Sequence, residues 1–71
     1  MTVTVYTKPD CPACKLTKCH LDKRGVPYIE ADIDEVHHAA KARGITSAPV
    51  VQAGADMWGG YRPDRLDELA A

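Results

Sequence analysis

The chain has 71 residues and nearly balanced acidic and basic side chains, with a formal net charge of −1. This length predicts one small domain, residues 1–71, and the interspersed charge excludes the basic stripe that nucleic-acid binding requires. No apolar stretch in the sequence is long enough to cross a bilayer, and the first residues lack the pattern of a signal peptide. We therefore expect a cytoplasmic protein with no membrane or nucleic-acid partner.

The first third of the sequence predicts a strand followed by a helix. Apolar and β-branched residues from Thr2 to Tyr6 form the first predicted strand. Pro12 suits the first turn of a helix, because its missing N–H would have no partner there. The helix is expected to end near Arg24, with Gly25 taking a left-handed cap.

The middle of the chain predicts a second strand and a short helix. The strand covers Pro27 to Ile33, and Asp34 is the expected N-cap of a helix that carries Val36, Ala39 and Ala40 inward. Two strands joined through a helix form a right-handed crossover, so the first two strands should be parallel.

The last third predicts a β-hairpin and a final helix. The runs Val50 to Ala53 and Asp56 to Trp58 are joined through Gly54 and Ala55, and Pro63 begins the helix. Either Leu69 or Ala70 joins Leu66 in docking this helix on the sheet. The order β-α-β-α-β-β-α predicts an α/β domain with a four-stranded mixed sheet flanked by helices.

Two cysteines, Cys11 and Cys14, flank Pro12 and Ala13 at the predicted strand-to-helix turn. A disulfide at this spacing closes a very short loop and constrains the unfolded chain little, so redox chemistry explains the pair better than a structural crosslink. The start of a helix favours a thiolate on the first cysteine. We expect Cys11 to attack a substrate disulfide and Cys14 to resolve the mixed disulfide.

The residues around the pair leave alternatives open. Lys8 either stabilises a thiolate on Cys11 or is a solvated loop charge, and the adjacent Asp10 opposes the thiolate. Cys19 lies about 140° around the helix from Cys14, so it should be a free surface thiol. Use of the cysteines as ligands of a metal or an iron–sulfur cluster is the alternative to redox chemistry, although a four-ligand site needs further residues that converge.

Motifs over nearly the whole chain resemble the NrdH-redoxins, glutaredoxin-like proteins of the thioredoxin-fold superfamily. The matching segments are residues 2–9, the Cys-x-x-Cys motif, residues 48–51, and Trp58-Gly59-Gly60-Tyr61-Arg62-Pro63-Asp64. The last segment is the most specific, because Cys-x-x-Cys alone occurs in many redox and metal proteins.

The resemblance implies a thioredoxin/glutaredoxin-like fold and a redox-active Cys11–Cys14 disulfide with no further cofactor and no metal. It implies a monomer that carries electrons from thioredoxin reductase to class Ib ribonucleotide reductase. It also implies a cis peptide bond at Ala48–Pro49, facing the dithiol. The backbone of Ala48 or Val50 would pair there with an extended substrate segment.

The closest alternative that the resemblance leaves is a glutathione-dependent glutaredoxin. Such proteins usually carry Thr-Val-Pro before the third strand, whereas this chain has Ser47-Ala48-Pro49. Tyr61-Arg62-Pro63 also alters the start of the last helix, where Pro63 removes an N–H donor, so we expect weak glutathione binding. The proline in Cys-Pro-x-Cys favours the glutathione-dependent alternative, because it is typical of the glutaredoxin form of the motif.

The segment from Trp58 to Asp64 has two possible uses, contact with a partner or structuring of its own loop. For Trp58 and Tyr61 we favour packing against the core. For Arg62 we favour solvation or a local ion pair over a partner carboxylate.

Overall fold

A computed structural model describes residues 2–70, in which four strands form one mixed sheet. The strands are β1 (Val3–Thr7), β2 (Ile29–Asp32), β3 (Val50–Ala53) and β4 (Asp56–Gly59), and the helices are α1 (Pro12–Lys23), α2 (His37–Ala42) and α3 (Pro63–Ala70). The order across the sheet is β2-β1-β3-β4. β1 is parallel to β2, and the hairpin β3–β4 adds to the other edge of β1 in antiparallel pairing. The predicted order of elements and both strand orientations are confirmed.

The two faces of the sheet bury separate clusters of side chains. Because neighbouring residues of a strand point to opposite faces, Val50 and Val51 belong to different clusters. Leu21 of α1 and Leu66 of α3 pack on the face of Val51 and form with it the α1–α3 cluster. Ala40 of α2 packs on the face of Val50. Helices therefore cover both faces. None of the helices within residues 2–70 is long and apolar enough to cross a membrane.

The end of α1 agrees with its predicted cap. Gly25 has a φ of +69°, a left-handed conformation that glycine adopts without a steric penalty. Its N–H donates to the Asp22 carbonyl at 3.2 Å, and the N–H of Val26 donates to the Leu21 carbonyl at 3.0 Å. These two hydrogen bonds form a Schellman motif, which satisfies carbonyls that the helix leaves open.

The predicted bounds of the second strand were wrong. β2 starts at Ile29, which pairs with Thr4 in β1, so Pro27 and Tyr28 precede the sheet. Ile33 follows the strand and begins a 3-10 turn that ends at Glu35. The first strand is likewise displaced by one residue, since it runs from Val3 to Thr7 rather than from Thr2 to Tyr6.

The predicted cap of the short helix was also wrong. The N-cap of α2 is Val36, and Asp32 caps a 3-10 turn that precedes it: the Asp32 carboxylate accepts the Asp34 N–H at 2.9 Å, and the Glu35 carboxylate accepts the Asp32 N–H at 3.1 Å. This capping box starts the 3-10 turn, and α2 begins separately at His37.

The inward residues of this region were predicted in part. Val36 and Ala40 are buried as expected, one helical turn apart, but Ala39 is exposed. A helix of six residues buries one narrow stripe, and Ala39 lies outside it. At the other end of the chain, Leu69 packs against the α1–α3 cluster and Ala70 is exposed, so Leu69 is the docking residue.

Candidate redox site

The two cysteines lie where β1 leads into α1. Cys11 is the N-cap of α1, with φ −115° and ψ 101°, and its Sγ accepts the N–H of Cys14 at 3.2 Å. Cys11 and Cys14 form a disulfide with a Cα–Cα distance of 5.2 Å. Pro12 is exposed at the first helical position, as predicted. The sulfur of Cys11 therefore lies at the positive end of the helix dipole, a position that favours an anion.

The two sulfur-bearing residues differ in exposure. Cys11 is 8% exposed and Cys14 only 2%, so Cys11 is the more accessible member although both are largely covered. Cys19 is a free, exposed cysteine on the outward face of α1, in agreement with the helical spacing. Of the three cysteines, Cys19 is thus the exposed one, and within the pair Cys11 is more exposed than Cys14.

Charged residues surround Cys11 unevenly. Asp10 precedes it with a φ of +56°, a left-handed conformation that aspartate tolerates better than most residues. Lys15 shares an open depression with Asp10, Cys11 and Pro12. Lys8 instead lines a separate depression with acidic side chains from β2. Lys15 is not among the predicted site residues, although its spacing of four from Cys11 places it on the same side of the helix.

The Ala48–Pro49 peptide bond is cis, as the family resemblance implies. Pro49 is fully buried, Val50 begins β3, and Ala48 is half-buried. Val50, the first residue of β3, pairs with Tyr6 near the end of β1, so the Pro49 turn lies at the end of the sheet where the chain turns toward Cys11. The sheet register thus places Pro49 and the dithiol at the same end of the strands.

The loop after β4 is tied to this turn. The N–H of Gly60 donates to the Pro49 carbonyl at 2.8 Å, which continues the β3–β4 pairing by one residue. Gly59 lies so close to the preceding loop that a Cβ would be 2.5 Å from Ile45 Cγ2 and 2.9 Å from the Ser47 carbonyl oxygen. The missing side chain of Gly59 therefore allows β4 to lie against residues 45–47.

The remaining residues of the loop bind within the molecule. Trp58 is buried in the α1–α3 cluster, with the Arg65 guanidinium 4.9 Å from its ring centroid, and Tyr61 packs against the same cluster. The carbonyl of Arg62 accepts the N–H groups of Arg65 and Leu66 at the start of α3. The exposed Arg62 guanidinium lies 3.8 Å from Asp64, and Pro63 starts α3.

A hydrogen-bonded network between α1 and α3 was not expected from the sequence. Nδ1 of His20 lies 3.1 Å from the Tyr61 hydroxyl, and Nε2 lies 2.8 Å from a carboxylate oxygen of Asp67. Arg24 binds the same oxygen at 3.1 Å. The hydrogen bond from His20, followed by the charge of Arg24, lowers the pKa of Asp67 against the opposing effect of desolvation. A separation of 47 residues between His20 and Asp67 leaves no local signal for this contact.

The dithiol has fewer neighbouring ligands than a bound metal ion needs. Within residues 2–70 no three His, Cys, Asp or Glu side chains converge in a way that could hold one. Cys11 and Cys14 supply two sulfur ligands, whereas a structural zinc site takes four ligands. The described residues thus provide half of such a site.

Comparisons with known proteins place the chain in a family. A glutaredoxin family model matches residues 3–57. The glutaredoxin-like protein NrdH of Escherichia coli K12 is 39% identical, with 97% of this chain and 89% of that protein covered. NrdH of Lactococcus lactis MG1363 is 34% identical, with coverage of 96% and 99%.

Solved structures agree. The NrdH-redoxin of Escherichia coli, described as having a thioredoxin-like activity profile, matches with a TM-score of 0.85 and 39% identity over 97% of this chain and 95% of that one. A glutaredoxin from Archaeoglobus fulgidus matches with a TM-score of 0.76 and 30% identity over 94% and 83%. With its thioredoxin-like fold and its Cys11–Cys14 disulfide, the chain belongs to the NrdH group of glutaredoxin-like thiol–disulfide oxidoreductases.

Proposed function

We propose that this protein carries electrons in the cytoplasm, as a monomer, from thioredoxin reductase to the disulfide of class Ib ribonucleotide reductase. The observation that carries the proposal is the match to NrdH over 97% of the chain, together with the thioredoxin-like activity profile of the Escherichia coli relative. The segment of residues 58–64 supports thioredoxin reductase over glutathione as the donor, because Trp58 and Tyr61 pack within the protein and Pro63 provides no N–H donor for a ligand at the start of α3.

The proposed chemistry is two successive thiol–disulfide exchanges. The thiolate of Cys11 attacks one sulfur of the substrate disulfide, which forms a mixed disulfide and releases the other substrate sulfur as a thiolate. Cys14 then loses its proton and attacks the Cys11 sulfur, which restores the Cys11–Cys14 disulfide and releases the reduced substrate. Thioredoxin reductase returns two electrons from NADPH to this disulfide. The greater exposure of Cys11 supports this division of roles.

The Pro49 turn is proposed as the platform for the substrate. Ala48 and Val50 flank a buried proline at the same sheet edge as the dithiol, so an extended substrate segment could pair with their backbone beside Cys11. Gly60 holds the carbonyl of Pro49 from the other side. In this proposal the segment Trp58 to Asp64 supports the platform, and contact of Trp58, Tyr61 or Arg62 with a partner is secondary.

The electron donor is the decisive test. The oxidised protein is incubated with NADPH and thioredoxin reductase, and in parallel with NADPH, glutathione and glutathione reductase, while NADPH consumption is followed. We expect rapid turnover with thioredoxin reductase and little with glutathione. The reverse result would indicate a glutathione-dependent glutaredoxin, an alternative that the Pro12 position in Cys-Pro-Ala-Cys favours. Activity with neither, together with a metal that survives dialysis, would favour the metal alternative.

The acceptor and the roles of the cysteines need separate tests. With purified class Ib ribonucleotide reductase, deoxyribonucleotide formation should depend on this protein and fail with Cys11→Ser. Cys14→Ser should accumulate a mixed disulfide through Cys11, identified by mass spectrometry of the linked peptides. Cys19→Ser is the matched control, since it removes an exposed thiol outside the pair. A mixed disulfide through Cys19 would contradict the assignment.

A further inference from the structure

Two lysines lie near the dithiol, and their surroundings differ. Lys8 lines its depression with Glu30 and Asp32, whereas Lys15 lines the depression that contains Cys11. Neither lysine makes an ion pair within the described part of the chain. Asp10 shares the depression of Lys15 and opposes a thiolate on Cys11, so Lys15 is the cation there that favours one.

The helix directs the Lys15 side chain toward Cys11. The N–H of Lys15 donates to the Cys11 carbonyl at 3.2 Å, so the two residues are one helical turn apart. Side chains of an α-helix lean toward its N-terminus and cover the preceding turn. The exposed Lys15 side chain consequently extends over the turn that contains Cys11 and Pro12.

This position is unfavourable for the helix itself. The positive end of a helix dipole is stabilised by acidic side chains and destabilised by basic ones, and the first turn of α1 contains no acidic residue. Lys15 adds a positive charge just beyond that turn. Two groups beside the helix start gain from both the dipole and the lysine: the Asp10 carboxylate, which shares the depression, and a sulfur anion on Cys11, which is the N-cap itself.

We propose that Lys15 stabilises the thiolate of Cys11 and favours attack on disulfides that carry negative charge, such as those on acidic protein surfaces. This inference rests on the proposed role of Cys11 as the attacking thiol. Lys15 acts through the Cys11 sulfur and takes no part in the bond changes. The bond changes are those of the first exchange step: the Cys11–substrate bond forms, the substrate disulfide breaks, and its second sulfur leaves as a thiolate.

The first experiment measures the pH dependence of Cys11 alkylation by iodoacetamide, in a Cys14→Ser, Cys19→Ser background. We expect Lys15→Gln to raise the midpoint by about half a pH unit, because an exposed cation one helical turn away contributes roughly that much to a thiolate. Lys15→Arg should keep the original midpoint. Lys23→Gln is the matched control, since it removes the same charge from an exposed position at the other end of the same helix.

The second experiment tests the preference for anionic disulfides in the protein with its active pair intact. Initial rates are compared for the dianion 5,5′-dithiobis(2-nitrobenzoate) and the neutral 2-hydroxyethyl disulfide, at a pH above both alkylation midpoints. We expect Lys15→Gln to lower the ratio of the two rates about two- to three-fold at low salt. The difference should vanish at about 0.5 M salt, where screening is strong.

A third measurement separates this role from a structural one. Lys15→Glu should leave the urea midpoint of the oxidised protein unchanged or raise it, because a negative charge suits the start of a helix, while alkylation of Cys11 slows. Loss of stability with Lys15→Glu, or an unchanged alkylation midpoint and rate ratio with Lys15→Gln, would overturn the inference. Retained reductase-linked activity in Cys11→Ser would instead overturn the proposed function.

Discussion

The two faces of the sheet differ in how many side chains they bury. Among residues 2–70, the face covered by α1 and α3 buries seven in one cluster: Val3, Val5, Leu21, Val51, Ala53, Trp58 and Leu66. Within the same range the face covered by α2 buries three: Val36, Ala40 and Val50. Burial of apolar surface is the main stabilising contribution in a domain of this size, so the first face should provide most of the folding free energy.

The two clusters anchor different parts of the candidate site. α1 carries Cys11 and Cys14 at its start and Leu21 in the larger cluster, so the helix that positions the sulfurs is anchored where burial is greatest. The α2 face contributes Val50, the first residue after the Pro49 turn. The position of the dithiol thus depends on the larger cluster, and that of the proposed substrate platform depends on the smaller one.

The largest expected effect contrasts the two clusters directly. Leu66→Ala removes a fully buried side chain from the larger cluster and should cost about 2–5 kcal/mol of unfolding free energy. Val36→Ala in the smaller cluster should cost about 1–2 kcal/mol. Urea unfolding of both oxidised variants measures the two values. An equal or larger loss for Val36→Ala would contradict the ranking of the faces.

The next effect concerns the contact of β4 with the loop before β3. Gly59→Ala places a methyl group against Ile45 and the Ser47 backbone, and overpacking of this kind typically costs about 1–3 kcal/mol. Because Ser47 lies two residues before Pro49, activity with a protein disulfide should fall as well. Urea unfolding and insulin reduction measure the two effects. Gly54→Ala, in the exposed hairpin turn where φ is +61°, provides a contrast, because its loss of stability comes from backbone strain and should leave insulin reduction by the folded protein unchanged. Wild-type stability of Gly59→Ala would contradict the close approach.

A smaller effect is expected at the bridge between α1 and the loop after β4. Tyr61→Phe removes the hydroxyl that lies 3.1 Å from His20 and should cost about 1 kcal/mol, the usual net contribution of a hydrogen bond. Tyr28→Phe removes a phenol hydroxyl elsewhere on the same face and serves as the control. Thermal or urea unfolding distinguishes them, and equal losses would argue against a specific bridge.

The smallest effect is a change in pH dependence. The hydrogen bond from His20 lowers the pKa of Asp67 below its ordinary value of 3.8. A carboxyl whose pKa is lower in the folded state stabilises the protein above the unfolded-state pKa, and this contribution is lost as the pH falls through the folded-state pKa. Asp67→Asn should therefore show a shallower loss of stability on acidification.

Urea unfolding at a series of pH values from about 5 to 2 measures that slope. Glu30 provides a comparison on the edge strand β2, since hydrogen bonds from Lys18 and Thr7 lower its pKa too. Glu30→Gln should flatten the profile separately, and the double variant should be flattest. An Asp67→Asn profile that parallels the wild type would show that the network contributes nothing to acid stability.

Local signals in the sequence explain which elements could be predicted. Pro12 and Gly25 mark the two ends of α1 through backbone requirements that neighbouring residues set, and both assignments are confirmed. Asp34 precedes an apolar stripe and is therefore the expected N-cap, but Asp32 has the extended backbone that the N-cap of the 3-10 turn needs. That conformation follows from the pairing of Asp32 with Thr7 of β1, which no local pattern reveals.

The same division holds at the site. Spacing alone placed Cys11 and Cys14 together and directed Cys19 away from them, because both relations lie within one helix. The resemblance to NrdH-redoxins implied the cis bond at Pro49, and the structure contains it. Lys15 could have been recognised by its helical spacing from Cys11, whereas the contacts of His20 with Tyr61 and Asp67 join segments more than 40 residues apart.

Short-range spacing and recurrent motifs in the sequence suffice to predict the order of strands and helices, the dithiol at the start of α1 and the family. Only the tertiary structure shows that the Gly60 N–H binds the Pro49 carbonyl, that His20 joins α1 to α3 and that Lys8 and Lys15 have different neighbours. Those features arise from sheet register and helix packing, in which distant residues become neighbours when apolar surface is buried.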